Sequence, residues 1–264
     1  MPILIPKAAP LKPAASKGPT APTPAISKEE EIARSYGLEP IPESVQRLTK
    51  MVAKQNADLE EFARLIATEQ ALTDRLLRAA NPRAETIADY TCTTVEGALA
   101  RCGVGCAMLI AMSEPLARAV LKTYQTMLAM PLEARPLAAL DPIIGDHLIS
   151  EVGFSGKASG AVSLRMTFTG ARRAGAALLG MTESELGDGP ELDDAIGELT
   201  NMVCGNFKSN LCDAGLDCKL VPPKLSRTEE FKLQSAGGGL AERLGYIAPQ
   251  LALFVDIRIN PWNN

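Results

Sequence analysis

The sequence predicts an α+β protein, in which a small all-α helical bundle precedes a two-layer domain of helices and an antiparallel sheet. Apolar residues recur with a helical period from Ser27 to about Ala129. After Pro142 the period changes to that of strands with one buried face. The strands come before and after a pair of helices instead of alternating with them, so a parallel βαβ sheet is not expected.

The composition is that of a globular protein with an acidic surface. Hydrophobic residues make up 46% and charged residues 22% of the 264 residues, and the formal net charge is −4. Nonspecific binding to nucleic acid needs a basic surface, so we expect no nucleic-acid partner. No apolar run approaches the ~18 residues of a membrane span, and the N-terminus does not read as a signal peptide. We therefore expect a cytoplasmic protein without membrane contact.

The helical region begins after a tail of different composition. Residues 1–28 are mainly Pro, Ala, Lys and Thr, which bury too little apolar surface to offset chain entropy, so we expect them to be disordered. Ser27 and Glu30 have the spacing of a capping box, which predicts a short helix through Ser35. Further helices are expected after Pro42, after the N-cap Asp58, over 69–80 with Ala71, Leu72, Leu76 and Ala79 as its apolar face, from Thr94 to Gly103, and from about Glu114 to Met130.

Alternation of apolar and polar residues marks the strands. Residues 161–168 alternate in this way and predict a half-buried strand, which pairs as a hairpin with residues 148–154 across a Gly-rich turn. Residues 251–259 alternate again, and Phe231 and Leu233 indicate a further strand. Two helices, over about 170–179 and 193–214, lie between these strands.

The residue inventory limits the chemistry that is available. The six cysteines form no Cys-x-x-Cys pair and the single histidine, His147, is distant from them in sequence, so we expect no bound metal. The cysteines are expected to be buried, reduced thiols. The sequence has no nucleophile elbow and no phosphate-binding loop, and the glycine run 237–239 is typical of a loop tip. An enzyme with this sequence must work without histidine, bound metal or nucleotide.

One helical segment carries a polar pattern that could support chemistry. Residues three and four apart project from one side of a helix, so Asp194, Glu198 and Asn201 form a single polar ridge. Gly197 and Gly205 flank this ridge, although a glycine costs about 1 kcal/mol relative to alanine inside a helix. Close approach of another backbone would explain them. The same stripe is also typical of the solvated face of an ordinary amphipathic helix.

This segment resembles the CheX/CheC/FliY family of chemotaxis phosphatases. The family motif is Asp or Ser, three residues, Glu, two residues, Asn, and a proline further along. Asp194, Glu198 and Asn201 match it, and Pro222 or Pro223 falls at the proline. The resemblance continues through "TYQTMLAMPLE", "GFSGKASGAVSLRM" and "DDAIGELTNMVCGNFKSNL", and the motif occurs once, as in CheX rather than CheC. It implies a CheX-like domain over 113–264.

The resemblance implies hydrolysis of the aspartyl phosphate of a CheY-like response regulator. Asn201 would position the attacking water and Glu198 would bind the active-site lysine of the regulator. Asp194, Gly197 and Gly205 would be supporting or partner-binding residues. The chain would need no cofactor of its own, because the regulator supplies Mg²⁺. CheX relatives also imply a homodimer, and we expect the strand at 251–259 to be the exposed sheet edge through which two copies pair.

Residues 29–112 resemble the first part of another family. The phrases "IPESVQRLTKMV", "ADLEEFARLIATEQALTDRLLRAANP" and "TTVEGALARCGV" are similar to the HDOD family, which implies a helical signalling module without the metal ligands of HD phosphohydrolases. Two functions stay open on the sequence: a response-regulator phosphatase, and a non-catalytic adaptor that binds receiver domains or dimerises. A structural part of the flagellar switch is the weaker reading, since no switch-type domain is appended.

Overall fold

The computed structural model describes most of the helical region and the sheet domain. The described residues are 43–53, 58–81, 92–136, 146–157, 159–213, 215–228 and 240–260. Several expectations lie outside them: the tail over 1–28, the short helix through Ser35, the strand near Phe231 and Leu233, and the glycine run 237–239. The helices are α1 (Glu43–Ala53), α2 (Leu59–Ala67), α3 (Gln70–Ala80), α4 (Val95–Leu128), α5 (Phe168–Leu179) and α6 (Pro190–Asp213).

Two of the predicted helix starts, at Asp58 and Thr94, are confirmed by their caps. The Asp58 carboxylate accepts the Glu60 N–H at 3.0 Å, and the Thr94 hydroxyl accepts the Gly97 N–H at 3.1 Å. The buried face of α3 differs from the predicted one, because it consists of Leu72, Leu76 and Ala80 whereas Ala71 and Ala79 are exposed. Alanine is tolerated on either face of a helix, so burial of Leu72 and Leu76 determines which face of α3 packs against the core.

Helix α4 is longer than predicted. The expected break at Gly103 is confirmed as a bend, since this residue has φ 77° and ψ 166°. The chain then returns to a helix that runs through Pro115 to Leu128, instead of starting near Glu114. The predicted boundary between residues 112 and 113 falls inside α4, and it stays a prediction. Helix α4 therefore packs against α1, α2 and α3 with one part of its length and against α6 and the sheet with another.

Within the described ranges, the strands form one antiparallel sheet of seven strands. They are β1 (Glu133–Ala134), β2 (His147–Gly156), β3 (Gly160–Thr167), β4 (Cys218–Leu220), β5 (Lys224–Thr228), β6 (Leu240–Ala248) and β7 (Leu251–Ile259). The order is β1-β6-β7-β3-β2-β4, and β5 also pairs with β2. The predicted hairpin is β2–β3, in which Leu148 pairs with Met166. The predicted α+β class with an antiparallel sheet is confirmed.

The strand β3 is buried on both faces rather than one. Its apolar residues Val162, Leu164 and Met166 lie on the face that meets the helices. On the opposite face Ser163 and Arg165 are also only 7% exposed. The charged groups of Arg243 on β6 and Asp256 on β7 lie near Arg165, and Arg243 donates through Nη2 to Asp256 at 2.6 Å. The alternating polar residues of β3 therefore do form one polar face of the strand, but this face is covered and not exposed to solvent.

The expected sheet edge is wrong. Strand β7 lies inside the sheet, hydrogen-bonded to β3 on one side and to β6 on the other. Apolar alternation cannot distinguish an edge strand from a central one, because both bury one face of side chains. The homodimer stays a prediction, but β7 offers no free edge for it.

Helices α4, α5 and α6 cover the same face of the sheet as a second layer. Arg75 on α3 connects the helical bundle to the sheet, because its Nη2 donates to both Glu242 carboxylate oxygens on β6, at 2.6 and 2.7 Å. The same side chain also bonds to Ser113 and Glu114 on α4. Within the described ranges, no single helix is long and apolar enough to cross a membrane; only the two halves of α4, bent by 104°, reach that length and composition together.

Gly103→Ala should destabilise the fold. The φ and ψ of Gly103 lie in a region that is essentially restricted to glycine, so we expect a loss of about 1–3 kcal/mol in the free energy of unfolding. Urea denaturation followed by circular dichroism measures this loss. Gly187→Ala is the matched control, because Gly187 lies in an exposed loop with no atom within 4 Å of an added Cβ. Equal midpoints for the two variants would contradict the assigned bend.

Candidate functional site

The position of α6 is fixed by its apolar face. Residues Ile196, Leu199, Val203 and Phe207 are at most 1% exposed. The Phe207 ring meets the ring of Phe154 on β2 edge-on, with 5.8 Å between ring centroids. Such edge-to-face pairs add about 0.5–1.5 kcal/mol to the burial of the rings. Rotation of α6 about its axis would expose this whole face, so the direction of its polar face is also fixed.

The predicted ridge lies on the solvent side of α6. Asp194 and Glu198 are exposed, and Asn201 is half-buried, about one helical turn beyond Glu198 and two beyond Asp194. We refer to these three residues as the α6 ridge. The structure thus brings together the three polar residues that the sequence proposed and leaves a carboxylate and a carboxamide accessible from one direction.

The two glycines beside the ridge have different surroundings. Gly197 is buried, and a Cβ placed there would lie 3.4 Å from the Pro223 ring and 3.5 Å from Leu225. Nothing lies within 4 Å of the corresponding position at Gly205. The expected close approach of another backbone is therefore wrong: side chains contact α6 at Gly197, and none is that close at Gly205. Between the two candidate prolines, Pro223 is the one that packs beside the ridge.

The first turn of α6 is held by an arginine that sequence reasoning missed. Arg227 on β5 donates through Nη2 to the Asp193 carboxylate and to the Asp188 carbonyl, both at 2.8 Å. Its guanidinium also lies over the Phe168 ring, 5.0 Å from the centroid. These contacts connect the start of α6 to the sheet and to α5. No short motif marks Arg227, because its partners are between 34 and 59 residues away in sequence and only the β2–β5 pairing brings them together.

Helix α4 borders the other side of α6. The Asn206 amide donates to the Thr123 hydroxyl at 3.0 Å, and the Asn210 amide donates to the Pro115 carbonyl at 3.4 Å. The pairs run in opposite directions along the two helices, so α4 and α6 are antiparallel. Thr123 is fully buried, which makes its hydroxyl dependent on this partner. The ridge is consequently framed by Pro223 on one side and by α4 on the other.

A separate polar cavity of about 520 Å³ opens near Arg227. It is lined by residues from α5 and the segments beside it, and by none of the ridge residues; they are Asp146, Thr167, Phe168, Thr169, Arg172, Asp188 and Arg227. Both arginines in it are paired with acids, Arg172 with Asp188 at 2.5 Å. In the part of the chain that the structure describes, no three His, Cys, Asp or Glu side chains converge as metal ligands would.

The cysteines are free but not uniformly buried. Cys106, Cys204 and Cys218 are buried, whereas Cys92, Cys102 and Cys212 are half-buried, so the expectation of buried thiols holds for only three of them. Burial raises the pKa of the Cys204 thiol to about 12. The thiolate form that reacts with oxidants and metals is therefore scarce on the inner face of α6.

Two regions of the chain match known families. Residues 38–133 match the HDOD domain, and residues 148–241 match the family described as chemotaxis phosphatase CheX. The α6 ridge lies in the region that matches CheX. Comparison with curated proteins finds no match.

Solved structures of chemotaxis proteins resemble part of the chain. CheX from Vibrio vulnificus is 20% identical with a TM-score of 0.49, covering 56% of this chain and 96% of that one. CheX from Desulfovibrio desulfuricans is 18% identical with a TM-score of 0.48, covering 56% and 99%. The CheX–CheY–BeF₃–Mg²⁺ complex from Borrelia burgdorferi gives 22% identity and a TM-score of 0.44, covering 56% and 97%. All three TM-scores are below 0.5, so the fold assignment rests on the strand pairings above.

Cys204 should resist a thiol reagent in the folded protein. With a pKa of about 12, only about one thiol in ten thousand is ionised at pH 8, and burial also blocks access. Labelling with a disulfide reagent at pH 8, mapped by mass spectrometry, should modify the half-buried Cys212 well before Cys204. In denaturant the two should react alike. Equal labelling rates in the native protein would contradict this packing of α6.

Proposed function

We propose that this protein accelerates hydrolysis of the aspartyl phosphate on a CheY-like response regulator, in chemotaxis or two-component signalling. The observation that carries the proposal is the α6 ridge, where an exposed Glu198 and an accessible Asn201 face the same way. The match of residues 148–241 to the chemotaxis phosphatase CheX family supports this substrate class. A cytoplasmic location, where such regulators act, belongs to the same proposal.

The reaction places modest demands on the catalyst. Water attacks phosphorus, a new P–O bond forms, and the bond between phosphorus and the aspartate carboxylate oxygen breaks. The products are inorganic phosphate and the free carboxylate, and the proton lost by water passes to phosphate or solvent. The acyl phosphate is already activated, so positioning the water in line accounts for the rate. This demand fits a ridge that contains no histidine.

Asn201 has the right groups to position this water. Its carbonyl oxygen accepts a hydrogen bond from water, while its NH₂ group donates toward the phosphoryl oxygens. A half-buried side chain on a helix with a packed inner face also loses little further freedom when the partner docks. We assign Asn201 the role of water-positioning residue.

Glu198 has a different role. We assign its carboxylate to the active-site lysine of the regulator, through a charge-assisted hydrogen bond that fixes the docked geometry. Asp194, one turn earlier, supports the same contact, and the open surface at Gly205 lets the partner approach the helix. Gly197, being buried against Pro223, supports the helix instead of contacting the partner. The regulator brings its own Mg²⁺, and the chain adds no cofactor.

Asn201→Ala should abolish the acceleration while leaving binding nearly intact. The variant removes the groups that position water, so we expect the stimulated rate to fall by about 10²-fold or more. The decay of CheY from the same organism, phosphorylated with acetyl phosphate and Mg²⁺, measures it. Ser209→Ala, at an exposed position further along α6, is the control and should keep wild-type activity. Equal acceleration by Asn201→Ala and wild type would refute the assigned role.

Glu198→Ala should weaken docking as well as turnover. Loss of the charge-assisted contact raises the regulator concentration at half-maximal rate, by about tenfold if the contact contributes ~1.4 kcal/mol. The same decay assay over a range of regulator concentrations gives this value. Glu61→Ala removes an equally exposed acid from α2 and should leave the curve unchanged. An unchanged half-maximal concentration for Glu198→Ala would contradict the proposed contact between Glu198 and the active-site lysine of the regulator.

A further inference from the structure

The end of α4 presents an unusual side chain beside the ridge. Met127 is 50% exposed, more than any other large hydrophobic residue in the described part of the chain. Single exposed hydrophobic residues are common, so exposure by itself carries no argument. The position of Met127 relative to α6 is the feature that makes it a candidate for contact with a partner.

The antiparallel packing of α4 and α6 places Met127 toward the end of the helix pair that carries the ridge. Thr123 on α4 bonds to Asn206 on α6, and Met127 lies one turn beyond Thr123. Since the helices run in opposite directions, Met127 beyond Thr123 and Met202, one turn before Asn206, lie toward the same end of the α4–α6 contact. Met202 is half-buried and directly follows Asn201. Two methionines thus border the ridge on the side of α4.

The backbone that carries Met127 is firmly held. Tyr124, Leu128 and Met130 around it are at most 7% exposed, and the Met130 N–H bonds to the Tyr124 carbonyl at 3.1 Å. A partner that buries Met127 therefore does not have to order the chain around it. Methionine side chains are flexible and polarizable, which suits them to adaptable protein contacts.

We propose that Met127 and Met202 form an apolar docking rim for the receiver domain whose phosphoryl group faces the α6 ridge. The inference rests on the proposed function and deepens it. Its occupant is the receiver surface beside the phosphorylation pocket, because a domain seated on Glu198 and Asn201 extends sideways over α4. Helix α4 lies within the region that matches the HDOD domain, so the two regions together form the surface that selects the partner.

The test compares Met127→Gln with Leu179→Gln. Leu179, at the end of α5, is 44% exposed and lies on another helix, so it controls for the general loss of an exposed hydrophobic residue. With phosphorylated CheY from the same organism, Met127→Gln should raise KM about fivefold with kcat within about twofold of wild type, as for one peripheral apolar contact. Leu179→Gln should change neither value. An unchanged KM for Met127→Gln overturns the rim.

A second measurement separates this inference from the proposed function. The Kd of CheY charged with beryllofluoride and Mg²⁺ reports docking without catalysis. If the wild-type protein binds it but does not accelerate hydrolysis, the phosphatase assignment fails, and a weaker Kd for Met127→Gln would still support the rim. If Met127→Gln and wild type bind equally, the rim fails while the phosphatase assignment stands. If wild type does not bind at all, both fail.

Discussion

The burial of one face of α6 against the sheet is the constraint on which the candidate site depends. Phe207 against Phe154, with Ile196, Leu199 and Val203 beside it, leaves a single orientation for the helix. Glu198 and Asn201 reach solvent because the opposite face is committed to the core. A water-positioning amide needs such rigidity, since its contribution comes from geometry rather than from acid–base strength. The contacts of Arg227 at the first turn and of Asn206 on α4 further restrain the helix.

Helix α4 joins the two regions in physical terms. It packs on the small helices of the region that matches HDOD and on α6 of the region that matches CheX. Arg75 adds a polar connection from α3 to Glu242 in the sheet and to Ser113 and Glu114 on α4. Charged groups that are largely withdrawn from water are costly to separate, so this cluster favours one arrangement of bundle and sheet.

The sequence predicted the placement of the ridge residues on one face of α6 better than it predicted the surroundings of that helix. Spacing of four and three residues was enough to place Asp194, Glu198 and Asn201 on one face, because helical geometry is local. It also predicted the caps at Asp58 and Thr94. The sequence-based predictions were wrong where contacts between distant parts of the chain determine the structure. β7 lies inside the sheet, Arg165 is buried among residues from other strands, and α4 begins well before Glu114. Arg227 was missed for the same reason, since the strand pairing that brings it to Asp193 leaves no trace in the local pattern.

The most direct measurement is a structure of the full chain bound to a receiver domain that carries beryllofluoride and Mg²⁺. We expect the Asn201 amide to lie within hydrogen-bond reach of the space where water would attack the beryllofluoride group, and Glu198 to contact the receiver's lysine. A receiver bound to another surface, with the α6 ridge still open to solvent, would contradict this expectation.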